Sequence, residues 1–224
     1  HSGFITMGGA IRRFDNFAMK AWLEARTGLP VSVENDANCV LLAERWQGKA
    51  AEMANFLVLT IGTGIGGAIY CHHQLVHGAR FRAGEFGYML TDRPGGRDPR
   101  RYSMNENCTL RVLRHRYAEH IAAPLESVTG EMIFDRYDAG DPVCQRLVAE
   151  FFNGLGHGLY NLVNIFDPQA IFIGGGIVER PGFLALLRQH LAWFGIADYL
   201  DTVSHGNDAG LIGAVYHFNQ LYRS

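Results

Sequence analysis

A carboxylate flanked by amides and a glycine-rich turn downstream of it are the residues of this chain best suited to chemistry. The first group is Glu34-Asn35-Asp36-Ala37-Asn38. The second is Ile61-Gly62-Thr63-Gly64-Ile65-Gly66-Gly67, between the β-like runs Phe56–Ile61 and Ala68–Cys71. A carboxylate takes a proton from a hydroxyl, and glycines let backbone N–H groups approach phosphate oxygens with no Cβ in the way. Together they are parts for moving a phosphoryl group onto a hydroxyl. Each has a plainer reading. Asn and Asp are good helix caps, and a glycine-rich turn can simply be a tight hairpin. The turn lacks a Gly-Lys-Ser/Thr ending and opens into no helix, so it is neither a Walker loop nor a dinucleotide fingerprint. What lifts the first group above a cap is the crowding of Glu34, Asn35, Asp36 and Asn38 at one strand-to-helix junction, the carboxyl end where α/β sheets bind ligands.

Two further stretches join them. Glu85 stands between Gly84 and Gly87, placed to recognise sugar hydroxyls, although most carboxylates are simply solvated. Gly174-Gly175-Gly176 follows an apolar run and suggests close approach of a flat or phosphorylated ligand. His72, His73 and His77 have no metal-ligand spacing and read as surface residues. Cys39, Cys71, Cys108 and Cys144 are dispersed and read as free thiols of a cytoplasmic protein. The formal net charge of −2 over 224 residues gives no global attraction to nucleic acid or anionic membrane. The arginines from Arg93 to Arg116 read as a solvated loop and helix face.

The elements that must position these residues alternate between strand and helix, an α/β pattern. Helices are expected over Asp15–Arg26, Ala37–Trp46 (capped by Asp36 or a neighbour), from about Glu106, within Pro124–Gly140, over Asp141–Phe166, from Gly182 to Trp193 and over Asp208–Leu221. Strands are expected at Val31–Val33, Phe56–Ile61, Ala68–Cys71, Ala170–Ile173 and near Thr202-Val203, with His72-His73-Gln74 as a turn. No apolar run reaches the roughly 20 residues of a membrane span. Nor does the start resemble a signal peptide, because Gly8, Gly9, Arg12 and Arg13 interrupt it.

In this order, the motifs resemble those of the ROK sugar kinases and regulators. Glu34-Asn35-Asp36-Ala37 resembles the family's sugar-binding and catalytic motif. Leu59 through Gly67 resembles its second phosphate loop, and Gly78 through Ala83-Gly84-Glu85-Phe86-Gly87 its second sugar-contact segment. Pro168 through Gly174-Gly175-Gly176-Ile177 resembles its adenosine-side motif, and Ala209-Gly210-Leu211-Ile212-Gly213-Ala214 its closing helix. The resemblance implies an actin-like, ribonuclease H-like ATPase fold. It implies residues 1–50, with the closing helix 208–224, as the remainder of an N-terminal sugar domain, and 51–207 as a C-terminal ATPase domain. It makes Asp36 the catalytic base and, with Glu34, Asn35, Glu85 and Tyr88, a substrate ligand, and Gly62, Thr63, Gly64, Gly174, Gly175 and Gly176 nucleotide-binding residues. ATP, magnesium, a hexose or β-glucoside substrate and a homodimer come with it.

The chain departs from the family pattern in two places. Many members carry His where Tyr88 stands, followed by a cysteine-rich zinc site; here Cys108 stands alone, so no structural zinc is expected, as in the β-glucoside kinase-like branch. The family's first phosphate loop is absent, so the fold is expected to be N-terminally incomplete and kinase activity of this chain alone impaired. The alternatives are a sugar-sensing transcriptional regulator whose DNA-binding part lies elsewhere, and a non-catalytic oligomerising fragment.

Overall fold

The computed structural model describes residues 3–222 except 7, 9, 10, 93, 94 and 97. Gly9, Arg93 and Arg97, which enter the reading above, lie outside the described residues. Among the described residues, the sheet has five strands: β1 (Phe56–Ile61), β2 (Ile65–Cys71), β3 (Gln74–Leu75), β4 (Ala170–Gly174) and β5 (Leu200–Thr202), in the order β3-β2-β1-β4-β5. β1 pairs antiparallel with β2 and parallel with β4, and β5 continues the parallel half.

Both faces of the sheet are covered, and the alternation in β1 explains why the run is apolar throughout. Leu57, Leu59 and Ile61 point to the larger core with Ile65, Ile69, Ile171 and Ile173. Phe56 and Val58 point to the smaller one with Ala68, Tyr70 and Phe172. Helices α4 (Leu110–His120), α5 (Gly130–Asp138), α6 (Pro142–Phe166) and α7 (Phe183–Leu191) fill the first side. Phe151, Phe152, Leu155, Leu159 and Leu162 of α6 are buried there. The second side takes α2 (Asp36–Gln47) through Ala37, Leu41 and Leu42, and α8 (Ala209–Tyr222) through Tyr216. α2 and α8 cross at Gly213, where a Cβ would collide with the backbone carbonyl of Cys39. Trp46 and Tyr216 stack near this crossing with ring centroids 5.4 Å apart. No described helix is long and apolar enough to cross a membrane.

Several expected elements form differently. Val31–Val33 is not a strand. That short segment feeds straight into α2 and pairs with no described strand; β-propensity alone does not make a strand. The first helix, α1 (Met19–Thr27), starts later than expected, after a 3₁₀ turn at Arg12–Phe14, because Asp15 instead accepts from Gly8 N–H at 2.6 Å. β2 begins at Ile65, so Gly66 and Gly67 lie in the strand, while Gln74 belongs to β3 after a turn at His72-His73. The helix expected from about Glu106 is two pieces, α3 (Met104–Asn107) and α4, broken where Thr109 caps α4 through Val112 N–H. α7 ends at Leu191 and tightens into a 3₁₀ turn at Ala192–Phe194. The last strand is Leu200–Thr202 and stops short of Val203.

Candidate active site

The parallel pairing of β1 with β4 sets Thr60 opposite Gly174, so the two glycine stretches leave the sheet side by side at its carboxyl edge. Only one of these glycines is demanded by its backbone. Gly175 has φ of 95°, and a Cβ there would strike the Ile61 carbonyl. Gly62 and Gly176 differ, since a Cβ at either meets nothing within 4 Å. They border open space. Within the turn, Gly62 N–H donates to the Gly64 carbonyl at 3.0 Å, and Ile65 N–H donates to Asn105 Oδ1 at 2.7 Å.

Gly66 and Gly67 have different work. On one face, a Cβ on Gly66 would press on Thr60 Oγ1 and reach Ala37 Cβ at 3.5 Å. On the other, a Cβ on Gly67 would overlap the Phe86 ring and the Gly84 carbonyl. These two strand residues therefore let the start of α2 and the loop of Glu85 close on β2 from opposite sides. That packing brings the Asp36 end of α2 beside the glycine turn.

At the α2 start, Asn35 is the cap. Its Oδ1 accepts from Ala37 N–H at 2.9 Å and Asn38 N–H at 3.2 Å. Capping uses the amide oxygen, so the –NH₂ is the donor this side chain still offers. Asp36 is exposed, with Oδ1 accepting from Ala37 N–H at 2.9 Å. Glu34 is a different kind of group: its side chain is only 8% exposed. Its Oε1 accepts from Asn35 N–H and Asn38 Nδ2, each at 2.8 Å. Its Oε2 lies 2.8 Å from His77 Nε2 and 3.7 Å from His217 Nε2. Burial pushes the Glu34 carboxyl up, but the hydrogen bonds from His77, Asn38 and Asn35 outweigh it and hold it below its ordinary 4.5. Burial also pushes His217 below its ordinary 6.5, against the pull of the Glu34 charge. The Cys39 thiol nearby is pushed up to about 12 by burial, with the Glu34 and Asp36 charges adding; it is no nucleophile.

His77 is therefore not a surface histidine. Its side chain is 24% exposed and pairs with Glu34. His72 and His73 are exposed. Glu85 and Tyr88 are exposed on the loop behind β2, and the Arg82 guanidinium lies 5.6 Å from the Tyr88 ring centroid. The arginine-rich segment is mostly solvated and paired with Asp98, Glu106 and Glu150. Arg114 is the exception, with its guanidinium donating to the carbonyls of Val128 and Leu125. Among the described residues no group of three His, Cys, Asp or Glu side chains is placed to hold a metal ion.

Sequence reading missed His77, His217 and Asn105. The histidines sit 43 and 183 residues from Glu34 in the chain, with no spacing signal. Asn105 stands 40 residues from Ile65, again with no spacing signal.

A family model described as "ROK family" matches residues 2–220. A beta-glucoside kinase of Klebsiella pneumoniae is 93% identical over 224 residues, all of this chain and 75% of that protein. The Lmo2764 protein of Listeria monocytogenes superposes with a TM-score of 0.93 at 59% identity, over 98% of this chain and 76% of that one. A ROK hexokinase from Thermus thermophilus superposes with a TM-score of 0.82 at 29% identity, over 100% and 76%. The fold is thus the actin-like ATPase α/β fold of these proteins.

Proposed function

The chain belongs to the ROK family, and from that premise we propose that it serves ATP-dependent phosphorylation of a primary hydroxyl on a β-glucoside or related hexose. One observation carries the reading. The exposed Asp36 carboxylate stands at the end of α2 that packs on Gly66, directly after the open Gly62–Gly64 turn, with Gly174–Gly176 alongside. We read these as a proton acceptor and a backbone cradle facing one cleft.

In this reading Asp36 accepts the proton of the attacking hydroxyl. The freed oxygen bonds to the γ-phosphorus of ATP, the bond from that phosphorus to the β-bridging oxygen breaks, and ADP leaves. Asn35 and Glu85 take sugar hydroxyls, with Tyr88 at the rim. The backbone of Thr63 and Gly64 faces the phosphates, and Gly175 and Gly176 line the adenosine side. Magnesium accompanies the nucleotide and offsets its charge. Asp36 and the beta-glucoside kinase name of the 93% identical relative favour an enzyme over a sugar-sensing regulator. The division between 1–50 with 208–224 and 51–207 is carried into this proposal as it stands; α2 and α8, in the first part, pack on the sheet of the second through a core shared with β1, β2 and β4. A homodimer and a cytoplasmic location complete the reading; the free Cys39, Cys71, Cys108 and Cys144 suit the latter.

The test is phosphoryl transfer from ATP to cellobiose, a simple aryl β-glucoside and glucose, followed as ADP release and as a sugar phosphate ester by ³¹P NMR. It is run on this chain and on a form carrying the part of its relatives that it does not match. A phosphate ester on the primary hydroxyl is expected in the longer form; no ester with any sugar in either form overturns the reading.

A further inference from the structure

Glu34 is next to Asp36, yet both of its carboxylate oxygens face protein groups. What it holds is distant in sequence. The His77 imidazole meets Oε2 at 2.8 Å, while the His77 backbone carbonyl accepts from Ala83 N–H at 3.1 Å. That second bond closes the loop running straight into Gly84 and Glu85. Gly84, with φ of 86°, then packs its backbone on Gly67 of β2. On the other oxygen, Asn35 N–H and Asn38 Nδ2 tie Glu34 into the cap of α2. The first turn of α2 is thus linked to the Glu85 loop by a short chain of hydrogen bonds passing through Glu34 and His77. His217 of α8, one turn beyond the Gly213 crossing, backs the same oxygen at 3.7 Å.

We propose that His77 is a positioning residue for the sugar: by holding Glu34 it sets the separation between the Asn35-Asp36 corner and the Glu85 loop. Two short bonds through one imidazole and one carboxylate are stiff, and they cross between segments that no strand pairing joins. A hydrogen bond to a charged, mostly buried group is among the stronger kinds. Glu34 then acts through His77 and the cap, while Asn35, Asp36 and Glu85 meet the substrate. Loss of the bond lets the two sides drift apart, weakening sugar binding more than the chemical step.

The inference rests on the sugar kinase reading for its substrate, and the experiment separates the two. With saturating ATP, His77→Leu is expected to raise KM for the glucoside about tenfold with kcat changed less than about threefold, the size of one lost charged hydrogen bond. His77→Gln, which restores an N–H donor near the same place, is expected to recover most of that loss. His77→Asn, whose amide stops short of Glu34, should behave as Leu does and replaces it if His77→Leu does not fold. Unchanged KM in the Leu or Asn variant, equal loss in the Gln variant, or a loss confined to kcat overturns the proposal. Hydrogen exchange supplies the arm that needs no turnover. Residues 76–88 should exchange faster in His77→Leu or Asn than in wild type, with β1 and β2 unchanged; no change in 76–88 overturns the link. Wild-type protein that phosphorylates no sugar refutes the functional reading instead, and exchange then still decides the role of His77.

Discussion

The two halves of the proposed cleft are built by different means. At the sugar corner the shape comes from side chains: Asn35 caps, Glu34 holds Asn38 and His77, and α8 closes over them. At the phosphate corner it comes from backbone: the Gly62–Gly64 turn and Gly174–Gly176 form an edge where the side chain of Asn105 intrudes by a single bond to Ile65 N–H. A side-chain corner is adjustable, since each group can be exchanged for another of similar reach. A backbone corner depends on where no atom stands, and a single Cβ changes it. The contrast also separates glycines that look alike in the sequence. Gly175 and Gly213 are required by what lies against them, whereas Gly62 and Gly176 are open.

The largest effect expected is at Asp36. Asp36→Asn removes the proton acceptor from the side-chain corner without changing its shape, so kcat should fall by roughly 10²–10⁴ while glucoside affinity stays near wild type. Steady-state kinetics with a direct binding titration measures both. An equal loss of binding would make Asp36 chiefly a ligand and blur the division of labour between the corners. Next comes Gly175→Ala, which forces an L side chain into φ of 95° against the Ile61 carbonyl. It should cost about 1–3 kcal/mol of stability together with much of the nucleotide affinity, read by thermal melts and ADP calorimetry. Gly62→Ala sharpens the same point from the other side. It should leave stability within about 0.5 kcal/mol and weaken nucleotide binding severalfold; a large stability loss would show that Gly62 is a packing residue after all.

The smallest expected effect concerns pH, and the sugar corner should carry it. His217 titrates lower in the folded chain than its ordinary 6.5. Below that value the unfolded chain therefore binds the extra proton, and stability declines as pH falls through about 6.5. His190 is lowered in the same direction by burial alone, so His217→Gln should flatten the thermal midpoint between pH 5 and 7 in part, not wholly. Glu34, held below its ordinary 4.5, works at lower pH. It stabilises the fold above that value and loses the contribution as pH falls through its depressed folded pKa, so Glu34→Gln should flatten the acid limb instead. Melting curves across pH on both variants distinguish the two.

Legibility followed the range of the interactions. β1, β4 and α6 were readable because apolar residues at strand or helix spacing declare themselves over a few neighbours, as in Phe56–Ile61 and Phe151–Leu162. The Asn35-Asp36 cap was readable for the same reason: its bonds reach Ala37 and Asn38. Val31–Val33 misled because β-branched residues need a partner strand, and that partner is a matter of tertiary placement. Gly66 and Gly67 misled because glycines that open a phosphate cradle and glycines that admit a neighbouring backbone look the same in one dimension. His77 was passed over because its partner is 43 residues away.

The sequence by itself determined the chemistry available and the order in which it comes: a carboxylate beside an amide, a glycine turn, a glycine-flanked Glu85 and a glycine triplet after a buried strand. It also determined the family, since those residues recur in that order. Only the tertiary structure decided which groups come together at the proposed cleft. Placing β4 beside β1 set the two glycine stretches together, and closing α2 and the Glu85 loop on Gly66 and Gly67 brought Asp36 to that edge. The folded chain also turned Glu34 inward to His77 and His217. The physical reason is that proximity across a sheet depends on strand order and close packing, which involve residues far apart in the chain, whereas capping and periodicity need only neighbours.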